Sequence, residues 1–207
     1  VVNNILDLAK IDASKTVLTD KRFSLLLFVR KLKSIFENNA KLKNIDFTVE
    51  VTGDADIFVK GDEIKLSQVL VNLIGNAIKF TDKGFVKLTV IIQEETGETA
   101  FYNIRFAVTD SGVGIHKKHQ EKIFESFTQA DTNTTRKFGG TGLGVTISDK
   151  ILQLMDSKLY VESELGKGSV FWFDLQLRKS SFVPQNKMLH KEPGNYSLTG
   201  ITVLLAE

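Results

Sequence analysis

The sequence predicts a two-layer α/β sandwich, with helices covering a mixed, mostly antiparallel sheet. Three observations carry this expectation. Segments near 25–42 and 62–80 repeat apolar residues at helical spacing. Short stretches such as "IDFTVEV" and "FYNIRFAV" alternate apolar and polar residues, as half-buried strands do. Two strand pairs are separated only by short glycine-bearing connections, "QEETGETA" and "LGKG", which suit a strand–turn–strand path. Helices interspersed with such strands bury their apolar faces against each other as two layers.

The chain opens on "VVNNILDLAKIDASK", where Val2, Leu6, Ala9 and Ala13 share a helical face with Val1, Ile5 and Leu8 beside it. No capping residue precedes this pattern, so residues 1–15 read as the tail of a longer helix that packs on a partner. "TVLTDKRFS" is extended. Ser24 caps a helix from Leu25 to Leu42, with Asn44 near its end. "IDFTVEV" and "DIFVKG" are strands, and Asp62 caps the next helix, whose Leu66, Val69, Leu70, Leu73 and Ala77 form an apolar stripe. "FVKLTVII" and "FYNIRFAV" flank a turn centred on Gly97. A polar, glycine-bearing stretch from Asp110 to Gly144 leads into a helix that ends near Met155. "KLYVESE" and "SVFWFDLQL" close as a hairpin. Residues 180–199 hold both prolines without periodicity and read as a linker, and residues 200–207 end on a short strand pattern, "ITVLLAE". The main domain is therefore expected at 16–179, with both ends of the chain cut from neighbouring units.

Composition narrows the possible functions. The 207 residues are 42% hydrophobic and 25% charged, ordinary for a globular domain. With 27 basic and 25 acidic residues the net charge is +2, which gives no electrostatic case for nucleic acid or an anionic membrane as partner. The absence of cysteine excludes disulfides and thiolate metal sites, and His116, His119 and His190 are too scattered for a zinc site. No apolar run approaches a membrane span, so a soluble domain in a reducing compartment is expected.

Three segments carry chemistry. In "QVLVNLIGNAIKFT", Asn72, Asn76 and Lys79 lie four and three residues apart and so line one face of a helix, away from the apolar stripe. Such a line is either a solvated face or a row of ligands. In "DSGVGI", Asp110 leaves a strand and is followed by Gly112 and Gly114, where the backbone can turn sharply and a flat ligand can approach it. The Asp110 carboxylate can accept a hydrogen from an exocyclic amine, and the same pattern also fits a tight turn closed by an Asx hydrogen bond. In "FGGTGLGVTIS", four glycines end where a helix begins, and the free N–H groups and dipole of a helix N-terminus suit phosphate. The pattern is not a P-loop, and it lacks the strand and acidic residue of a dinucleotide fold.

Taken in order, the asparagine helix, D-x-G-x-G, "IFESFTQAD" and G-G-T-G-L-G resemble the N, G1, F and G2 boxes of the catalytic domain of sensor histidine kinases. The resemblance runs from Val1 to about Lys179 and implies a Bergerat-type ATP-binding fold using ATP and Mg²⁺. It implies that Asn76 binds Mg²⁺ and that Asn72 and Lys79 contact the phosphates or their waters. Phe80 would line the nucleotide site, and Asp110 would take the adenine amino group, with Gly112, Gly114 and Ile115 beside the ring. Phe124 and Phe127 would anchor a lid spanning about 128–139, in which Arg136 and Lys137 reach toward the γ-phosphate. Gly140, Thr141, Gly142, Leu143 and Gly144 would surround the phosphates through their backbone. Neutral amide oxygen suits a hard cation that keeps most of its ligands as water and phosphate. The resemblance also makes residues 1–15 the end of a dimerisation and phosphoacceptor hairpin, and "ITVLLAE" the first strand of a receiver domain, as in hybrid kinases on the cytoplasmic side of a membrane.

The chain departs from the family's pattern at Ser126, Val145-Thr146 and Asp156-Ser157; at the last pair the family usually has glycines that end a helix with positive φ. No phosphoacceptor histidine box is present. Related ATPases of the superfamily place a glutamate, as base, four residues before the metal-binding asparagine. Here that position is Asn72, and an amide cannot accept the proton of an attacking water. The resemblance therefore implies phosphoryl transfer to a histidine on a hairpin largely outside this chain. Hydrolysis and a nucleotide-binding pseudokinase are the alternatives.

Overall fold

Ser24 has extended backbone, and its hydroxyl accepts from the N–H of Leu27 at 3.3 Å, which starts helix α1 (Leu25–Leu42) directly from strand β1 (Lys21–Ser24). The structure, a computed structural model, describes residues 16–94, 101–120, 122–124 and 143–180. Asn44 takes a left-handed conformation (φ 54°) just past α1 and donates to the Lys41 carbonyl at 3.0 Å, so the chain turns back into β2 (Ile45–Thr52). After β3 (Phe58–Gly61), Asp62 caps α2 (Glu63–Phe80): its carboxylate accepts from Lys65 N–H at 2.9 Å and Thr19 N–H at 2.9 Å. Burial alone would raise the Asp62 carboxyl, but these N–H groups and the Lys65 charge outweigh it and hold the group below its ordinary value.

Strands β4 (Gly84–Glu94) and β5 (Phe101–Asp110) follow, then a short helix α3 (Lys117–Gln120) and a 3₁₀ turn (Lys122–Phe124). Helix α4 (Gly144–Leu154) leads to the hairpin β6 (Tyr160–Glu164) and β7 (Gly168–Lys179). The seven strands form one sheet in the order β1-β3-β7-β5-β4-β2, with β6 also pairing to β7. Among the described residues only β2 and β4 pair in parallel; the other pairs are antiparallel. The expected mixed, mostly antiparallel sandwich is thus observed.

One set of alternate strand residues, including Val86, Leu88, Val90, Ile104, Phe106, Val108, Phe173, Leu175 and Leu177, is buried in a single cluster with the apolar sides of α1, α2 and α4. Phe106 and Phe173, both fully buried, stack within it with ring centres 5.3 Å apart. The other set is half-buried or exposed and includes the Arg105–Asp174 ion pair, whose two hydrogen bonds are 2.8 Å each. Both partners are about half exposed, so the pair adds little stability.

Helix α4 ends at the family's departure noted above. Asp156 takes the left-handed conformation (φ 56°), and Ser157 N–H donates to the Leu152 carbonyl at 2.8 Å, closing the helix. Only Asp156 needs positive φ there; Ser157 instead donates its hydroxyl to the Asp174 carbonyl at 2.6 Å. Asp156→Gly is accordingly expected to stabilise the domain by up to about 1 kcal/mol, and Asp156→Val to destabilise it by a similar amount. Urea denaturation of the two variants measures both signs. The helix expected at 1–15, the turn at Gly97, the linker after Ser180 and the strand at 200–207 lie outside the described residues.

Candidate functional site

Helix α2 is the floor of the site. Leu66, Val69, Leu70, Leu73 and Ala77 are buried as the apolar stripe requires, and Ile74 and Ile78 are buried with them. Asn72, Asn76 and Lys79 lie off that stripe and are half-buried. Burial lowers the Lys79 ammonium below its ordinary value, and its Nζ lies 4.9 Å from the centre of the Phe80 ring. A partly desolvated ammonium is a better partner for an anion than a fully hydrated one.

The glycine loop after β5 closes on the C-terminal end of α2. Val113 N–H donates to the Phe80 carbonyl at 3.3 Å. A Cβ on Gly112 would lie 2.5 Å from that same carbonyl oxygen, so only glycine lets the loop approach the helix end this closely. Asp110 Oδ1 accepts from Gly112 N–H at 2.8 Å, so the Asx turn is present. Asp110 is 8% exposed, and burial pushes its carboxyl pKa above the ordinary range against the opposing N–H groups of Gly112 and Ser169. A carboxylate has about four lone-pair sites, and two N–H groups leave room for a further donor. The loop is pinned from the other side by Ser163, whose hydroxyl accepts from Ile115 N–H at 2.7 Å and donates to the Gly168 carbonyl at 2.8 Å. Gln120 donates to the carbonyls of Ile115 at 3.1 Å and Ser163 at 2.6 Å.

The second glycine segment meets α2 at its middle. Asn72 Nδ2 donates to Ser148 Oγ at 2.9 Å, and a Cβ on Gly144 would run into the Asn72 carboxamide. Helix α4 therefore starts against α2, and Leu143 supplies no side-chain cap to its first N–H groups. A helix N-terminus whose N-cap residue offers no side-chain acceptor, beside a row of amides and an ammonium, is suited to an anion with a bound cation.

The structure thus brings together Asn72, Gly144 and Ser148 at one place and Phe80, Asp110 and Gly112 at another. Gly114 (φ 66°) and Ile115 continue the second group, Leu143 is fully buried beside α4, and Phe124 packs against the core. Phe127, Arg136, Lys137, Gly140, Thr141 and Gly142 lie outside the described residues, as does the segment expected to form a lid. Ser148, Ser163 and Gln120 were not singled out in the sequence. Ser148 had a signal, since it stands one turn after Gly144 on a helix; Ser163 and Gln120 had none, because their partners come from other elements. Among the described residues no group of three or more His, Cys, Asp and Glu side chains is arranged to hold a metal ion.

The fold and these two junctions define a nucleotide-binding sandwich of the Bergerat type. Residues 61–179 match the family described as histidine kinase-, DNA gyrase B- and HSP90-like ATPase. The sensor protein GacS of Pseudomonas syringae pv. syringae is 36% identical over 180 residues, which are 87% of this chain and 20% of that protein. Full-length ShkA in complex with AMPPNP superposes with a TM-score of 0.72 at 30% identity, covering 87% of this chain and 36% of that one. The catalytic domain of the histidine kinase ThkA does so with a TM-score of 0.60 at 32% identity, covering 75% of this chain and 96% of that one. The same kinase in complex with the response regulator TrrA gives a TM-score of 0.60 at 30% identity, covering 84% of this chain and 48% of that one. The chain belongs to this ATPase family and is similar over most of its length to the catalytic domain of a histidine kinase. It spans about a fifth of the length of the curated relatives it matches.

Proposed function

We propose that the domain binds Mg·ATP along α2 and presents the γ-phosphoryl group to a histidine on a dimerisation hairpin, which then supplies a receiver domain. The observation that carries this reading is the double contact of α2: Phe80 with the Asp110 loop, and Asn72 with the start of α4. The two contacts are about 12 Å apart along the helix axis. A base held by Asp110, Gly112, Gly114 and Ile115 would thus have its phosphates toward Asn72, Asn76, Lys79, Leu143 and Gly144. The residues fit the cofactor: Asp110 can take an amine hydrogen, Asn76 can offer a neutral oxygen to Mg²⁺, and the N-cap residue Leu143 offers no side-chain acceptor that would compete with phosphate. When bound, the metal neutralises charge on the phosphates. The protein's part is then to position and desolvate the reacting groups, which needs no base of its own. Asn72, which donates to Ser148, is an amide and cannot take the proton of an attacking water, which supports transfer over hydrolysis.

Response-regulator partnership and a full-length homodimer through the hairpin follow from the same reading. So does residence on the cytoplasmic side, where ATP is supplied. Among the described residues no helix is long and apolar enough to cross a membrane. Calorimetry of the chain with Mg·ADP should show one site. Adding the hairpin and labelled ATP should give an acid-labile, base-stable phosphohistidine, reduced on the order of a hundredfold by Asn76→Ala. Rapid phosphate release without the hairpin would favour hydrolysis instead.

A further inference from the structure

Helix α2 leaves carbonyl groups at its C-terminal end that no residue of the helix itself can satisfy. The structure satisfies them from two other elements. Lys43, just past the end of α1, places its Nζ 2.7 Å from the Ile78 carbonyl, 3.1 Å from that of Lys79 and 3.3 Å from that of Thr81. The Phe80 carbonyl between them accepts from Val113 N–H in the Asp110 loop. One ammonium therefore holds three carbonyls at the negative end of the helix dipole, leaving the fourth aimed at the loop. A lysine has three N–H donors and meets three acceptors here. Lys43 itself is held by the chain reversal, since its own N–H donates to the Ala40 carbonyl at 3.1 Å and Asn44 follows with φ 54°.

We propose that Lys43 is a positioning residue for the nucleotide site. Its side chain locks the last turn of α2, which carries Lys79 and Phe80, so that the Phe80 carbonyl stays where Val113 and the adenine-side loop need it. Lys43 contacts no nucleotide in this scheme; it acts through the helix end. The inference rests on the nucleotide-binding reading above.

The test compares Lys43→Met, which keeps the aliphatic stem, with Lys43→Arg and Lys43→Gln. Three readouts are taken on the whole chain: calorimetric affinity for Mg·ADP, thermal unfolding, and amide exchange by NMR. Lys43→Met is expected to lower affinity about tenfold, as loss of a charged hydrogen-bond set would. It should also remove the exchange protection of the Val113 amide while leaving Leu88 and Phe106 in the sheet protected. Lys43→Arg, which still donates to carbonyls, should recover most of both. Lys43→Gln keeps neutral donors and carries the test if the methionine variant does not fold, with a loss of about threefold expected. Parental affinity and unchanged Val113 protection in Lys43→Met, or in Lys43→Gln when that variant carries the test, would overturn the proposal even if the melting temperature fell. A parent chain that binds no Mg·ADP would sink the nucleotide-binding reading instead, and Val113 exchange would still decide whether Lys43 holds the loop.

Discussion

Asp110→Asn is expected to weaken Mg·ADP binding roughly ten- to hundredfold and yet leave the ligand-free domain at least as stable as the parent at neutral pH. The affinity loss follows from the proposed adenine contact. A charged acceptor contributes about 1.5–3 kcal/mol to such a hydrogen bond, and an asparagine can turn its own NH₂ toward the amine. The stability effect has the opposite sign because burial raises the Asp110 pKa in the fold. The folded state then holds a proton more tightly than the unfolded chain. Stability is greatest below the ordinary carboxylate range and falls as pH rises through the folded pKa, so at neutral pH the buried charge is a standing cost. Asparagine removes that charge and keeps an oxygen for the Gly112 N–H, which donates to Asp110 Oδ1 at 2.8 Å, while its single acceptor oxygen serves the Ser169 N–H less well and offsets part of the gain. Urea titrations across the acid-to-neutral range should show a flatter pH dependence for the variant. A variant clearly less stable than the parent at pH 7, or one with full affinity, would remove Asp110 from this role.

Gly144→Ala is expected to cost about 1–3 kcal/mol of stability and at least about tenfold in Mg·ADP affinity, with adenosine binding almost unchanged. The added Cβ would occupy the space of the Asn72 carboxamide, so either the start of α4 or the Asn72–Ser148 hydrogen bond has to give way. Both belong to the end of the site proposed for phosphate, about 12 Å along α2 from Phe80. Asn72→Ala in the same chain vacates that space. The double variant should therefore lose less than the sum of the singles, by on the order of 1 kcal/mol. Strict additivity would mean that the two residues do not share the space, and equal losses for adenosine and Mg·ADP would mean that the effect is global.

Much of the fold was legible because it is written in local pattern. Ser24 and Asp62 begin their helices with side-chain caps as expected, and Asn44 and Asp156 end theirs in the left-handed region that short polar side chains tolerate. The stripe Leu66, Val69, Leu70, Leu73 and Ala77 is buried because helical spacing alone puts those residues on one side. For the same reason Asn72, Asn76 and Lys79 could be assigned to another face before any contact was known. The order of the glycine segments was equally plain, since a glycine marks a backbone requirement that can be read at one position.

By itself, then, the sequence determined the element types, most of their ends, which side of each helix is apolar, and the row of amides and ammonium on α2. Only the tertiary structure decided that β2 pairs in parallel with β4 while β1 joins the far edge through β3. Nor does local pattern reveal that Asn72 meets Ser148, 76 residues away, or that Lys43 reaches the carbonyls at the end of α2. A periodic pattern states that a face must be buried, but many partners of similar hydrophobicity can bury it. Which polar groups then meet depends on how the layers stack and on the register of the strands, and that is set by the packing of the whole core at once.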